Sequence, residues 1–586
     1  MRFIQRAAAR RTAAGLALGL AATMTGAAVS GPAASAPDDQ CPEVFPAADL
    51  VEGQAVDGLT VTRGPTPVPF EGEIIGTITD GIAPGVDMIM AELTSDEIGR
   101  VDGIWQGMSG SPVYSEDGRL IGAVAYGLSF GASPVAGLTP ASEMYRLSAS
   151  APAPAEVVPV PRAQRQAVRA AGATARQVES GFRSLPMPYG VSGLRPARLE
   201  KAVSALKLGA KGTFTTVGAA PVASAVPAAP AVPGGNLAAS MSYGDVSYVG
   251  TGTVTAVCGE DVIGFGHPFN FSGATSLTMH NASAVLIQRE TLGPPFKVAN
   301  PSAPIGTIDQ DRLAGIAGPM GDAPRVTPVT STVAMRDGSR SRTGETRVSF
   351  KNALAEVTAM HLLANQDRVL DAVRSGSSGV GFTITGTRPD GRPFSVARTD
   401  HWSDQFDVTF APVFDVLEAV AAVQRALGDR GSIDNVALSA TLSEQRLTWG
   451  LAKAEVRRGK RWIPMTGKQP IMVRAGRTVR VRATLTSLDG ALGTKVVRLP
   501  VVVPRTAAGT FGTLVVGTGR RVPGLPLPAA SGLDGTLNRI TAAPRSADLA
   551  AAVATSRRRQ RFVGRTVRDQ GAKVTGVKTL RVIVTR

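Results

Sequence analysis

Between Cys41 and about Arg146, apolar residues come in short runs broken by Gly and Pro, as in Leu59-Thr60-Val61-Thr62 and Glu73-Ile74-Ile75-Gly76-Thr77-Ile78. Period-two patterning of this kind sets one face of a strand against a core and predicts β structure. Glu116-Asp117-Gly118 separates Val113-Tyr114 from the run Leu120 to Ala125, which predicts a hairpin. A second β-rich region runs from Ser240 to about Thr399, with alternation in Thr251-Gly252-Thr253-Val254-Thr255-Ala256-Val257. Pro412 then opens an amphipathic helix whose face carries Val413, Val416, Leu417, Val420, Val423 and Leu427, ending before Gly428. Strict alternation from Val479 to Leu485 and an apolar run from Val496 to Val503 predict a β-sandwich over about 430–505, immunoglobulin-like in pattern. A last strand is expected from Leu580 to Val584, and no internal repeat is evident.

Composition changes where these regions meet. Ser148 to Arg162 and Ala219 to Gly235 are rich in Ala and Pro and read as extended linkers, with a helical stretch from about Ala163 to Phe182 between them. The fold class expected is mainly β. It comprises a chymotrypsin-like pair of β-barrels split by a linker, then a helix, the immunoglobulin-like sandwich and a basic C-terminal region. The expected boundaries are 37–147 and 240–400 for the two β-rich halves, 148–239 for the linker, 401–505 for helix plus sandwich and 506–586 for the basic region.

Arg2, Arg6, Arg10 and Arg11 precede an apolar Ala/Leu/Gly run from about Thr12 to Val29, and small residues close it at Ala34-Ser35-Ala36. This is the pattern of an export signal over 1–36, and it places the mature chain outside the cytoplasm, secreted or associated with the cell envelope. Taking 36 residues from 586 leaves about 550, enough for three or four domains. The two cysteines, Cys41 and Cys258, are too far apart for a zinc knuckle or a CxxC redox site. In an oxidising compartment, a disulfide between them would pin the N-terminal segment to the middle of the chain.

The formal charge of +16 is concentrated late: from Leu451 onward there are 27 Lys/Arg against 5 Asp/Glu. Outside the membrane, the anionic partners for such a surface are wall polymers and lipid headgroups. Few aromatics accompany the arginines, which argues against nucleic acid. No phosphate-cradling loop, H-E-x-x-H or His/Cys cluster with metal spacing occurs, so no cofactor or metal is expected. The adjacent acids Asp96-Glu97 and Glu260-Asp261 would face opposite sides of a strand and do not form a glycosidase pair.

The candidate chemistry centres on Gly107-Met108-Ser109-Gly110-Ser111-Pro112. A serine hydroxyl attacks a carbonyl when a base takes its proton and donors hold the oxyanion. Gly107 and Gly110 allow a turn tight enough to expose Ser109 and to aim the amides of Gly107 and Ser109 at one spot, an oxyanion hole. A G-x-S-G-x-P turn before a hairpin is the chymotrypsin-like arrangement, whereas Ser111 breaks the G-x-S-x-G elbow of α/β hydrolases. Of the four histidines, His267 follows a strand in Val262-Ile263-Gly264-Phe265-Gly266-His267-Pro268, where Pro268 holds its backbone. His280, His361 and His401 read as structural.

Ile104-Trp105-Gln106-Gly107-Met108-Ser109-Gly110-Ser111-Pro112-Val113, followed by Gly118 to Val124, resembles the nucleophile region of the SpoIVB peptidases, the serine peptidases of sporulation signalling. Gly264-Phe265-Gly266-His267-Pro268 is similar to their histidine motif. The resemblance covers roughly residues 55–335. It implies a serine protease (a peptide-bond hydrolase) with Ser109 as nucleophile and His267 as general base, acting narrowly on a protein or peptide, including itself at the linkers near 150 and 225. That family places histidine before serine, the reverse of the order here, and its PDZ module has no counterpart. Its third catalytic member is an Asp whose position corresponds to about Thr94. Asp96 is the closest carboxylate, and Asp102 or an acid near His267 could equally orient the imidazole. The alternative is a non-catalytic envelope protein on the same scaffold, held to anionic polymers by its basic tail.

Overall fold

In a computed structural model, the residues described are 41–147, 157–185, 189–206, 214–215, 218–222, 229–290, 293–466, 469–522, 528–555 and 561–586. The segment 1–36 expected as an export signal, part of each Ala/Pro-rich stretch and Arg557-Arg558-Arg559 lie outside them. The fold is mainly β. No helix among the described residues is long and apolar enough to cross a membrane.

The first unit is built from β1 (Ala55–Thr60), β2 (Val68–Ala83), β3 (Val86–Thr94), α1 (Asp96–Val101), β4 (Pro112–Ser115), β5 (Leu120–Leu128) and β6 (Val135–Pro140). Its strands pair in the order β4-β1-β2-β3-β6-β5, and β4 also pairs with β5, which closes a six-stranded barrel. The hairpin expected at Val113 is the β4–β5 pair, with Val113 opposite Gly122. Asp117 holds its turn by accepting from the Ser115 hydroxyl and the Arg119 guanidinium. Every residue of β5 is buried, since the strand has barrel core on one side and packed neighbours on the other.

Short helices α2 (Ala141–Met144), α3 (Arg165–Ala170), α4 (Ala175–Ser180) and α5 (Pro196–Leu206) and strands β7 (Phe182–Ser184), β8 (Tyr189–Val191) and β9 (Phe214–Thr215) cross between the units. Part of the stretch expected as a linker is core: Val158 and Val160 are buried, and Val158 bridges Phe182. Their side chains pack with Val168, Val178 and Phe182 against the first barrel, so the Pro-rich chain is fixed there.

The second unit holds β10 (Asn236–Gly244), β11 (Tyr248–Cys258), β12 (Asp261–Gly264), β13 (Gly273–Gln288), β14 (Phe296–Arg312) and β15 (Gly315–Pro319). The pairings run β10-β13-β14-β15-β12-β11, and β11 returns to β10. From β10 the same sheet extends through β17 (Ser341–Val348), β16 (Thr327–Met335), β20 (Ser432–Ser443), β18 (Gly376–Thr387) and β19 (Pro393–Asp404). Two helices, α6 (Leu354–Leu370) and α7 (Ala411–Leu427), share its core. The helix expected from Pro412 is α7, with Val413, Val416, Val420, Val423 and Leu427 buried.

The C-terminal sandwich differs from expectation in its limits. Ser432–Ser443 belongs to the large sheet, pairing parallel to β16. The sandwich begins instead at Thr448 and includes the stretch expected only as a basic region. One sheet carries Thr448–Arg458, Arg461–Pro464, Thr478–Ser487, Thr494–Val502 and Lys573–Thr575. The other carries Ile471–Arg474, Thr510–Thr518, Asp548–Thr555, Arg561–Asp569 and Val577–Thr585. Both bury residues in one core, including Leu485, Leu499, Leu514 and Leu580, so neither sheet could stay dry alone. A last helix, α8 (Gly532–Ala542), packs against α7.

Candidate active site

Ser109 lies in the turn between α1 and β4 of the first unit, and His267 in the loop between β12 and β13 of the second. The junction is held by backbone. The Thr253 amide donates to the Ser109 carbonyl at 2.8 Å, and the Thr253 and Thr255 hydroxyls donate to the carbonyls of Gly107 and Gly110. Gly110 has φ +94°, and a Cβ there would sit 2.1 Å from the Thr253 oxygen and 2.5 Å from the Phe265 nitrogen. Only glycine lets the two units approach this closely.

The loop that delivers His267 is strained. Phe265 and Gly266 have φ of 71° and 69°, a conformation that a side chain such as phenylalanine adopts at a cost of about 1–3 kcal/mol. Burial of the Phe265 ring, which sits at 0 % exposure, holds it there. The Thr139 hydroxyl donates to the Gly266 carbonyl and ties this loop back to the first barrel.

The two side chains meet. His267 Nε2 is 2.9 Å from Ser109 Oγ, and Nδ1 is 2.9 Å from the Pro268 carbonyl oxygen. A carbonyl only accepts, so Nδ1 carries the proton and Nε2 offers its lone pair to the serine hydroxyl. Burial holds the imidazole below its ordinary pKa, against the Pro268 carbonyl and the charge of Asp311, which act the other way. The neutral, proton-accepting form therefore prevails at neutral pH. Both residues are closed off from solvent, at 0 % and 2 % exposure.

Within the turn, the amides of Gln106, Met108, Gly110 and Ser111 donate to Pro295, Trp105, Val124 and Met108 carbonyls. Among the described residues, no acceptor is found for the amides of Gly107 and Ser109.

Asp96 is not brought to His267. It is the exposed first residue of α1, behind a Ser95 cap, where a carboxylate favours the helix dipole. Asp102 pairs with Arg289 on the surface. The acid that serves the histidine loop is Asp311, fully buried on β14, whose Oδ1 accepts from the Phe269 amide at 2.7 Å. Its Oδ2 accepts from Asn270 at 2.8 Å and Ser272 at 3.0 Å. Asp311 thus shapes the loop, while the Pro268 carbonyl orients the ring. Sequence reasoning did not single out Asp311; its one signal was an acid in an otherwise strand-like run after His267.

Lys297 was likewise missed. Its amide donates to the Gln106 carbonyl, joining β14 to the Ser109 turn, and its side chain is 1 % exposed with Nζ 2.8 Å from Asn236 Oδ1. Burial lowers its ammonium to about 7.

A second buried pair shows what is distinctive about the first. His280 Nε2 lies 2.8 Å from Ser240 Oγ, and its Nδ1 lies 2.9 Å from the Ser302 carbonyl. Ser240 and His280 sit within paired strands β10 and β13, with no glycine turn beside the hydroxyl. His361 bridges Thr346 and Ser331 inside the core, and His401 lies on β19. Cys41 and Cys258 form a disulfide, and residues 43–45 pair with Leu120 of β5. The bridge therefore fastens a segment bound to the first barrel onto the end of β11 in the second unit. Among the described residues, no cluster of three His, Cys, Asp or Glu has the geometry to hold a metal.

Comparison with protein-family models, with curated proteins and with solved structures gives no match.

Proposed function

We propose that the chain is an exported serine endopeptidase in which Ser109 is the nucleophile and His267 the general base. The observation that carries this reading is the 2.9 Å contact from Ser109 Oγ to His267 Nε2, with Nδ1 committed to the Pro268 carbonyl. In the reaction, the hydroxyl proton passes to Nε2 as Oγ bonds to the scissile carbonyl carbon. The amides of Gly107 and Ser109 receive the oxyanion. Collapse expels the amine, which takes the proton from Nε2, and water then hydrolyses the acyl-serine by the same proton path. The resemblance to SpoIVB peptidases supports the assignment. So does the strand arrangement, which reads as a chymotrypsin-like pair of barrels with the nucleophile on one and the histidine on the other. The sandwich reads as an appended immunoglobulin-like module.

Closure of the site argues for narrow proteolysis of a protein or peptide, self-processing included, because a substrate must part the covering elements first. The disulfide supports an extracytoplasmic location, where such bonds persist. The test is covalent labelling of the purified protein by a small fluorophosphonate, read by intact mass, alongside Ser109→Ala and His267→Ala. The expected result is one adduct on Ser109, abolished in the first variant and slowed at least about 100-fold in the second. Equal labelling of all three would overturn it.

Full burial of Ser109 favours a second reading, a non-catalytic envelope protein on the same scaffold. Self-fragmentation that disappears in Ser109→Ala would exclude it.

A further inference from the structure

Gly107 is gripped from outside its own unit. The Lys297 amide, at the start of β14, donates to the Gln106 carbonyl at 2.9 Å, and the Gln106 amide donates back to the Pro295 carbonyl at 2.8 Å. On the other side of Gly107, the Thr253 hydroxyl of β11 donates to the Gly107 carbonyl at 3.2 Å. Both peptide groups that flank Gly107 are thus fixed by the second unit. Gln106, Lys297 and Thr253 are all buried, so water does not compete for these bonds.

Peptide planarity turns the grip into a direction. In a trans peptide the carbonyl and the following N–H point opposite ways in one plane, so holding the Gln106 carbonyl at Lys297 points the Gly107 N–H away from Lys297. The Ser109 amide is aimed in the same manner but from within its own turn, where the Ser111 amide donates to the Met108 carbonyl at 2.9 Å. Gly107 has φ +92°, and glycine passes between such a conformation and its mirror region with little resistance. Without an outside tether the Gln106–Gly107 peptide is free to turn over. The Lys297 side chain keeps that tether in register: its Nζ lies 2.8 Å from Asn236 Oδ1, and Asn236 Nδ2 donates to the carbonyls of Ala282 on β13 and Gly64 in the first unit. Pro294 and Pro295 stiffen the chain that leads into it.

We propose that Lys297 and Thr253 are positioning residues of the oxyanion hole: the second unit, by binding the carbonyls of Gln106 and Gly107, aims one of the two donors that the first unit carries. This rests on the reading of Ser109 as nucleophile. The hole is then complete only while the two units are docked, and entry of substrate must leave these two bonds intact.

The experiment follows the rate of fluorophosphonate labelling of the purified protein, together with the amide resonance of Gly107 before and after the adduct forms. Isotope in the glutamine carbonyl and the glycine nitrogen isolates that signal, because Gln106-Gly107 is one of only two Gln-Gly pairs in the chain. Lys297 faces Ile287 of β13 with its amide turned to Gln106, so Lys297→Pro removes this donor and spares the β13–β14 ladder. Lys297→Met loses the same amine and keeps the donor. Lys297→Pro should label about 100-fold more slowly than Lys297→Met, the order of cost of one lost oxyanion donor. Thr253→Val keeps the buried shape and loses the hydroxyl; it should slow labelling about tenfold, less than outright loss of a donor, and it decides the matter should Lys297→Pro fail to fold. In the parent adduct the Gly107 resonance should move downfield as its N–H meets the phosphonyl oxygen, and in the Lys297→Pro and Thr253→Val adducts it should move less. Equal rates for Lys297→Pro and Lys297→Met, Thr253→Val labelling at the parent's rate, or a parent-like Gly107 shift in the slowed variants would each overturn the positioning role and leave Ser109 as nucleophile. Absence of any adduct on Ser109 of the parent would overturn the peptidase reading, and this role with it.

Discussion

Ser109 and His267, 158 residues apart in the chain, share a hydrogen bond in which the imidazole can only accept. Because burial depresses the imidazole pKa, the accepting form persists below the ordinary value of about 6.5. The rate of fluorophosphonate labelling should therefore stay level from pH 8 down past about 6.5 and fall only in more acid solution. A midpoint at or above 7 would contradict this environment for His267.

Asp311 and Asp96 separate two accounts of the third group. Asp311→Ala removes the carboxylate that accepts from three backbone amides inside the protein and should destabilise it by about 3 kcal/mol, with labelling slowed at least tenfold. Asp96→Ala should leave labelling within about twofold and cost only about 0.5 kcal/mol of helix-end stabilisation. Denaturant melts and labelling rates on both variants check the pair.

Lys297 makes stability depend on pH in a defined direction. Its folded value is about 7 against 10.5 for the free side chain, so between these the unfolded chain holds the proton and the folded chain sheds it. Stability is then lowest below about pH 7 and rises as pH climbs towards 10.5. Lys297→Met loses this term. The stability of parent minus variant should increase by about 2–3 kcal/mol between pH 6 and pH 9, measured by urea unfolding.

The Cys41–Cys258 bridge closes a loop of 217 residues. Cross-linking so long a loop restricts the unfolded chain strongly, and Cys41→Ser/Cys258→Ser should lower stability by about 2–5 kcal/mol. Since the bridge also fastens the N-terminal segment across both units, limited proteolysis of that variant should cut first near residues 41–50.

Much of this was legible along the chain. The β4–β5 hairpin, α7, the serine turn and the histidine motif each announce themselves within about ten residues, because alternation, capping and glycine placement are local physics. Helix α6 was not legible: it lies between the large sheet and α7, is buried on nearly every side, and shows no polar stripe to mark its period. The limits of the sandwich were missed for a related reason. Strand Ser432–Ser443 has the alternation of a sandwich strand, and only its parallel pairing with β16 assigns it elsewhere.

Sequence alone determined which residue types could do the chemistry, a glycine-flanked serine and a proline-held histidine. It could not decide who orients the histidine, since Asp96, Asp102 and a later acid were equivalent on paper. Tertiary structure decided that by placing the Pro268 carbonyl on Nδ1 and burying Asp311 beneath the loop. A hydrogen bond between side chains depends on distances of a few tenths of an ångström, and those are set by how two sheets pack, which no local pattern encodes.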